Sequence, residues 1–179
     1  MRIGNKGALF LPAVVASFTA VVLTASPIAS SEQLSLAAPK GDVVLTVTTS
    51  PTGTRAAEVF RLDRAALEAM GSTFLQTSTP WTDGVPLFRG VLVRDLLRRL
   101  GTEGEMVRAI ALNDYRYDIP LSDFYDYPVL LAYEMNGEAL PVRGKGPTWI
   151  VYPLDQFGEL RNRITERKMV WQLVELQVQ

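Results

Sequence analysis

The 179-residue sequence contains neither cysteine nor histidine. Without cysteine there is no disulfide, no thiolate metal site and no sulfur nucleophile. Without histidine the commonest metal ligand and the commonest general base are missing as well. Catalysis would fall to carboxylates, Tyr, Lys, Arg, Ser and Thr, an inventory that weighs against an enzyme. An excess of positive charge is also lacking. Leaving aside the first 31 residues, the chain has 16 cationic against 19 acidic side chains, a net of −3. This balance argues against a nucleic-acid binder or a basic membrane-surface protein. No internal repeat and no low-complexity tract interrupts the sequence.

What is present begins with a targeting pattern over residues 1–31. Arg2 and Lys6 supply a short positive region, Ala8 to Ala25 is almost uniformly apolar, and Ser26 to Ser31 is mostly small and polar. That is the layout of a cleaved secretory signal peptide. The apolar run is also long enough to span a bilayer, so a retained N-terminal anchor is the competing reading. The absence of cysteine excludes a lipoprotein anchor, and Arg2 is followed by Ile3, so no twin-arginine pair is formed. The expectation is Sec-type export to the periplasm, with no membrane insertion after cleavage. Residues 32–41 read as a tether and 42–179 as the folded domain. A mature chain of about 148 residues is long enough for one real core.

Along that domain the patterns alternate between strand and short helix. Val43–Thr49 and Ala57–Leu62 are strands that a turn at Ser50–Thr54 would join into a hairpin. Asp63 caps a short helix ended by Gly71. Thr73–Thr79 is β-branched and leads to a loop bearing Trp81. Phe88–Val91 follows, with Arg89 in a loop near Trp81 where it can point inward. The segment Leu92–Leu100 is then the most regular helix, with Leu92, Leu96, Leu97 and Leu100 on one face and Arg94, Asp95, Arg98 and Arg99 on the other. Val107–Leu112 is an apolar strand followed by Asn113-Asp114-Tyr115-Arg116-Tyr117. That cluster reads equally well as a site at a strand end or as a turn followed by an edge strand. Leu121–Tyr127 is a short helix. Gly158–Lys168 is charged, either a helix or an extended arm, and Met169–Val178 closes a sheet.

The stretch Val129–Pro153 organises the rest. Val129–Met135 and Trp149–Tyr152 are two buried strands. Between them Asn136, Gly137, Pro141, Gly144, Gly146 and Pro147 set the backbone path around Arg143 and Lys145. A glycine-rich loop carrying two cations suits either an anionic ligand or a rigid solvated turn.

The succession GVLVRDLLRRLG, ALNDYRYDIPLSDF, VLLAYEMNGEALP, KGPTWIVYP and MVWQLVELQV resembles the molybdopterin-binding domain of the sulfite oxidase family, in a short, cysteine-free form. The resemblance covers about residues 42–179. It implies an α+β fold, a single mixed α/β domain with twisted sheets and short helices enclosing a pterin site. In catalytic members a cysteine thiolate binds molybdenum on the segment matching Thr73 to Arg89. Here that segment offers only Ser78 or Thr79, poor ligands for a metal that favours soft thiolate. The Gly-Pro that usually precedes Leu-Arg is followed by Thr148-Trp149.

Exported holoenzymes of this family resemble one another in using a twin-arginine signal, which this chain lacks. The resemblance therefore implies a periplasmic ligand-binding or protein-interaction module without molybdenum chemistry, a partner of a membrane sensor protein. A molybdopterin-dependent oxidoreductase without a protein thiolate is the alternative, and a purely structural protein the third reading. Candidate residues for an anionic ligand or a pterin are Thr79, Trp81, Arg89, Asn113, Tyr115, Arg116, Arg143, Lys145 and Trp149. The cations would neutralise the ligand and the aromatics would wall it. No catalytic or metal-ligating residue is assigned.

Overall fold

A computed structural model describes residues 38–50 and 56–179. The segment read as a targeting signal, the stretch up to residue 37 read as a tether and the turn residues 51–54 lie outside the described residues.

Among the described residues ten strands form two sheets. In the first, β1 (Val43–Thr49) pairs antiparallel with β2 (Val59–Asp63), as the hairpin expectation has it. β1 also pairs parallel with β10 (Leu173–Val178), which pairs antiparallel with β5 (Met106–Ala111), and β5 with β6 (Arg116–Pro120). The spatial order is β2-β1-β10-β5-β6. Alternation decides the faces: Leu45, Val47, Leu176, Val178, Val107 and Ala109 are buried, while the residues between them point to the outer face.

The second sheet runs β3 (Thr73–Gln76), β4 (Leu87–Leu92), β7 (Leu130–Met135) and β8 (Glu138–Ala139), with β9 (Trp149–Val151) also paired to β7. β9 is buried throughout and β7 over Leu130–Tyr133, which matches the apolar sequences of those stretches. The described residues also form four short α-helices, α1 (Arg64–Ala69), α2 (Val93–Arg99), α3 (Leu121–Asp126) and α4 (Arg163–Lys168). The mixed α/β architecture is the one expected. None of the described helices is long and apolar enough to cross a membrane.

Side chains cap the first turns of α1 and α4, and the Asp63 cap is the one the sequence indicates. The Asp63 carboxylate accepts from the N–H of Ala66 and from those of Lys40 and Gly41, so one residue caps α1 and fastens the chain entering β1. Those backbone donors hold its pKa below the ordinary carboxylate value. Asn162 caps α4 through Ile164 and Thr165. The charged run 158–168 is thus a single 3-10 turn, Gly158–Leu160, followed by a helix.

The sheets are joined where β9 approaches β10. The Leu173 N–H donates to Thr148 O at 2.9 Å, and the Thr148 hydroxyl donates to the Leu173 carbonyl at 2.7 Å. The Ile150 N–H donates to Val170 O, and the Trp149 indole N–H to Met169 O at 3.1 Å. Beneath this junction Asp123 accepts at one oxygen from both Lys168 Nζ, 2.6 Å, and the Tyr152 hydroxyl, 2.7 Å, tying α3 to α4. Burial pushes the Tyr152 pKa far up, so its hydroxyl stays a donor.

Candidate binding cleft

The junction between the sheets opens on one side into a cleft of about 270 Å³. Its wall comes from three places: Trp81 in the loop after β3, Ala111, Asn113 and Tyr115 around the end of β5, and Glu166, Arg167, Met169, Val170 and Trp171 leading into β10. Three tryptophans meet at its floor. Trp81 packs edge-on against Trp171, with ring centroids 4.9 Å apart, and both lie near Trp149, at 6.3 and 6.5 Å. Trp149 is fully buried and also meets Phe88 at 5.4 Å. Trp81 and Trp171 are half-buried and present an aromatic surface to the opening.

The backbone that presents Trp171 is unusual. Gln172 has φ of 50°, a left-handed conformation that a non-glycine residue holds only when its surroundings fix it. The fixing groups are three hydrogen bonds. Its N–H donates to Lys145 O, its side-chain amide to Val142 O, and its carbonyl accepts from the Leu112 N–H, each at 2.9 Å. The 142–145 turn, the end of β5 and the approach to β10 are therefore fastened around this one residue.

Of the nine sequence candidates, Trp81, Asn113 and Tyr115 line the cleft. Tyr115 is positioned by its hydroxyl, which donates to Arg167 O at 3.2 Å, and desolvation raises its pKa. Trp149 lies under the cleft as core. Thr79 is buried and bonded to Thr82 and to the Trp81 N–H, so it shapes the loop that carries Trp81. Lys145 sits with its ammonium 5.7 Å from the Trp149 ring centroid, and Arg143 is exposed on the same turn. Arg116 is exposed and 3.7 Å from Asp114.

Arg89 is placed elsewhere. The sequence reading put it in a loop near Trp81, but it lies within β4, where alternation turns it to the face opposite Phe88. There it pairs with Glu134 at 2.9 Å beside Arg64 and the Tyr133 ring. That hydrogen bond raises its pKa. Sequence reasoning did not single out Glu166, Arg167, Met169 or Trp171. A tryptophan where the strand alternation of the closing segment begins was the available signal for Trp171.

The segment 73–89 can be tested as a metal site. Ser78 donates through its N–H and hydroxyl to Asp155, at 2.9 and 2.6 Å, and Arg161 bonds both Ser78 Oγ and Asp155. The Asp155 N–H donates to Thr77 Oγ1 at 3.1 Å. With Thr79 and Thr82 bonded to each other, all four hydroxyls of the loop are committed to holding it. Among the described residues no group of three or more His, Cys, Asp or Glu could hold a metal ion. Hard oxygens already bonded to neighbours do not fit a metal that selects a soft thiolate.

Asp155 is the centre of this clasp, and the Ser78 donors hold its pKa below the usual carboxylate range. A depressed carboxylate contributes stability that is present above its unfolded pKa of about 4 and lost as pH falls through the lower folded value. Asp155→Asn is expected to lose about 1 kcal/mol at neutral pH and to flatten the acid limb of the stability curve below about pH 4. Urea unfolding across pH checks both.

A family model described as the oxidoreductase molybdopterin binding domain matches residues 52–158. Among solved structures, the sulfane dehydrogenase SoxCD from Paracoccus pantotrophus is similar in fold, with a TM-score of 0.54 and 20% identity. The match covers 76% of this chain and 38% of that one. Among proteins of curated function, none matches the chain in sequence.

Proposed function

Because the chain belongs to the oxidoreductase molybdopterin-binding domain family, we propose that it uses the fold and cleft of that family as a binding module in which no protein group ligates molybdenum. The observation that carries this reading is the fully engaged loop at 77–82 in a chain without cysteine. The aromatic wall of Trp81, Tyr115 and Trp171 suits a flat apolar body, and the basic turn at Arg143 and Lys145 suits an anionic group. The secretory pattern of residues 1–31 supports a periplasmic setting, where a membrane sensor protein is a fitting partner.

The packing of Trp81 on Trp149 fills the inner part of the cleft, as a purely structural role would have it, but the outer part stays open beside Trp171. That opening favours binding. The test is metal and pterin analysis of mature protein purified from the periplasm of a cell that makes molybdenum cofactor. Folded protein free of stoichiometric molybdenum and pterin is expected. Molybdenum near one per chain would overturn the reading in favour of an oxidoreductase that lacks a protein thiolate.

A further inference from the structure

We propose that the cleft and its rim form a docking site for an extended acidic segment of a partner protein, with one aromatic side chain of that segment seated against Tyr115 and Trp171. This rests on the metal-free reading of the same cleft.

Size is the first argument. Pockets for small-molecule ligands run from about 300 to 1,000 Å³, and this cleft, at about 270 Å³, falls just below that range. It suits a single large side chain better than a whole cofactor.

The second argument is the apolar surface beyond the mouth. Leu112 and Val142 are 49% and 54% exposed, and Gln172 holds both in place through the Leu112 N–H and the Val142 carbonyl. A ligand confined to the cleft leaves these side chains in water. A polypeptide crossing the mouth covers them, and such a rim around an aromatic anchor is how protein interfaces exclude solvent.

Charge supplies the third argument and selects the partner. Arg143 and Arg167 are exposed and have no ion-pair partner among the described residues, and Lys145 rests near the Trp149 ring rather than on a carboxylate. Glu166 is the acid in the cleft wall, and Asp114 lies beside Arg116. The rim is thus net positive on a chain that is net negative overall, so it attracts an acidic segment and repels a basic one.

The experiment selects a random display library of linear peptides on the mature protein and sequences the binders. Enrichment of one aromatic residue flanked by Asp and Glu is expected. The best such peptide, measured by fluorescence anisotropy, is expected to bind Trp171→Ala at least tenfold more weakly. Val142→Asp, which changes only an exposed side chain, should also weaken it severalfold, and added salt should raise its Kd. Enrichment of basic peptides, no enrichment at all, or binding indifferent to Val142→Asp would overturn the proposal. A cleft that binds small anions such as free pterins but no acidic peptide would overturn this inference and leave the metal-free module standing. Copurifying molybdenum would instead remove the reading on which it rests.

Discussion

Gly90→Ala is expected to cost about 3 kcal/mol, a large share of the marginal stability of a single domain. Gly90 sits in β4 opposite Ala132 of β7, next to a register shift between Arg89 and Gly90. A Cβ there would stand 2.1 Å from Leu131 O and 2.8 Å from Ala132 Cα. Both are backbone atoms of a fully buried strand, so nothing can swing aside as a side chain would. The sheet must open at its most buried pair, and overpacking of that kind lies at the upper end of what single substitutions do. Circular dichroism with urea unfolding measures it. A stability within 1 kcal/mol of the wild type would show that β4 and β7 are not so closely paired.

Trp149→Ala is expected to cost about 4 kcal/mol. Its ring is wholly buried, is met by Trp81, Phe88 and Trp171, and donates its indole N–H to Met169 O. Truncation leaves a cavity where the sheets join and an acceptor without its donor. Trp149→Phe should recover part of the loss, since most of the volume is restored and the hydrogen bond is not. The same pair separates scaffold from contact. Trp149→Phe should alter ligand affinity far less than Trp171→Ala does, whereas a direct contact at Trp149 would make the two comparable.

The sequence carried much of this fold because its patterns are local. Alternation in Val43–Thr49, the apolar run of Leu130–Tyr133 and the Asp63 cap each declare themselves within a few residues. What escaped depends on partners distant in sequence. β8 is only two residues, Glu138 and Ala139, and exists because β7 lies beside it. Arg89 was misplaced because a strand beginning at Leu87 was read as a loop, and one more residue of strand decides which face a side chain takes. The cleft was half legible. Trp81, Asn113 and Tyr115 stood out as aromatic or polar residues at strand ends. Trp171 did not, because its exposure depends on the left-handed turn at Gln172, and that turn is fixed by Leu112, Val142 and Lys145 from two other segments.

The order β2-β1-β10-β5-β6 also governs when the chain can fold. β10 is the middle strand of the first sheet, and its Glu175 meets Thr48 across 127 residues of sequence. Until β10 has left the ribosome, the β1–β2 and β5–β6 hairpins have no shared neighbour, and an isolated hairpin is marginal in water. The nascent domain is therefore kept from completing its first sheet through nearly all of its synthesis. Completion of the first sheet thus waits on the last strand of the domain, a long-range pairing of the kind that makes folding slow.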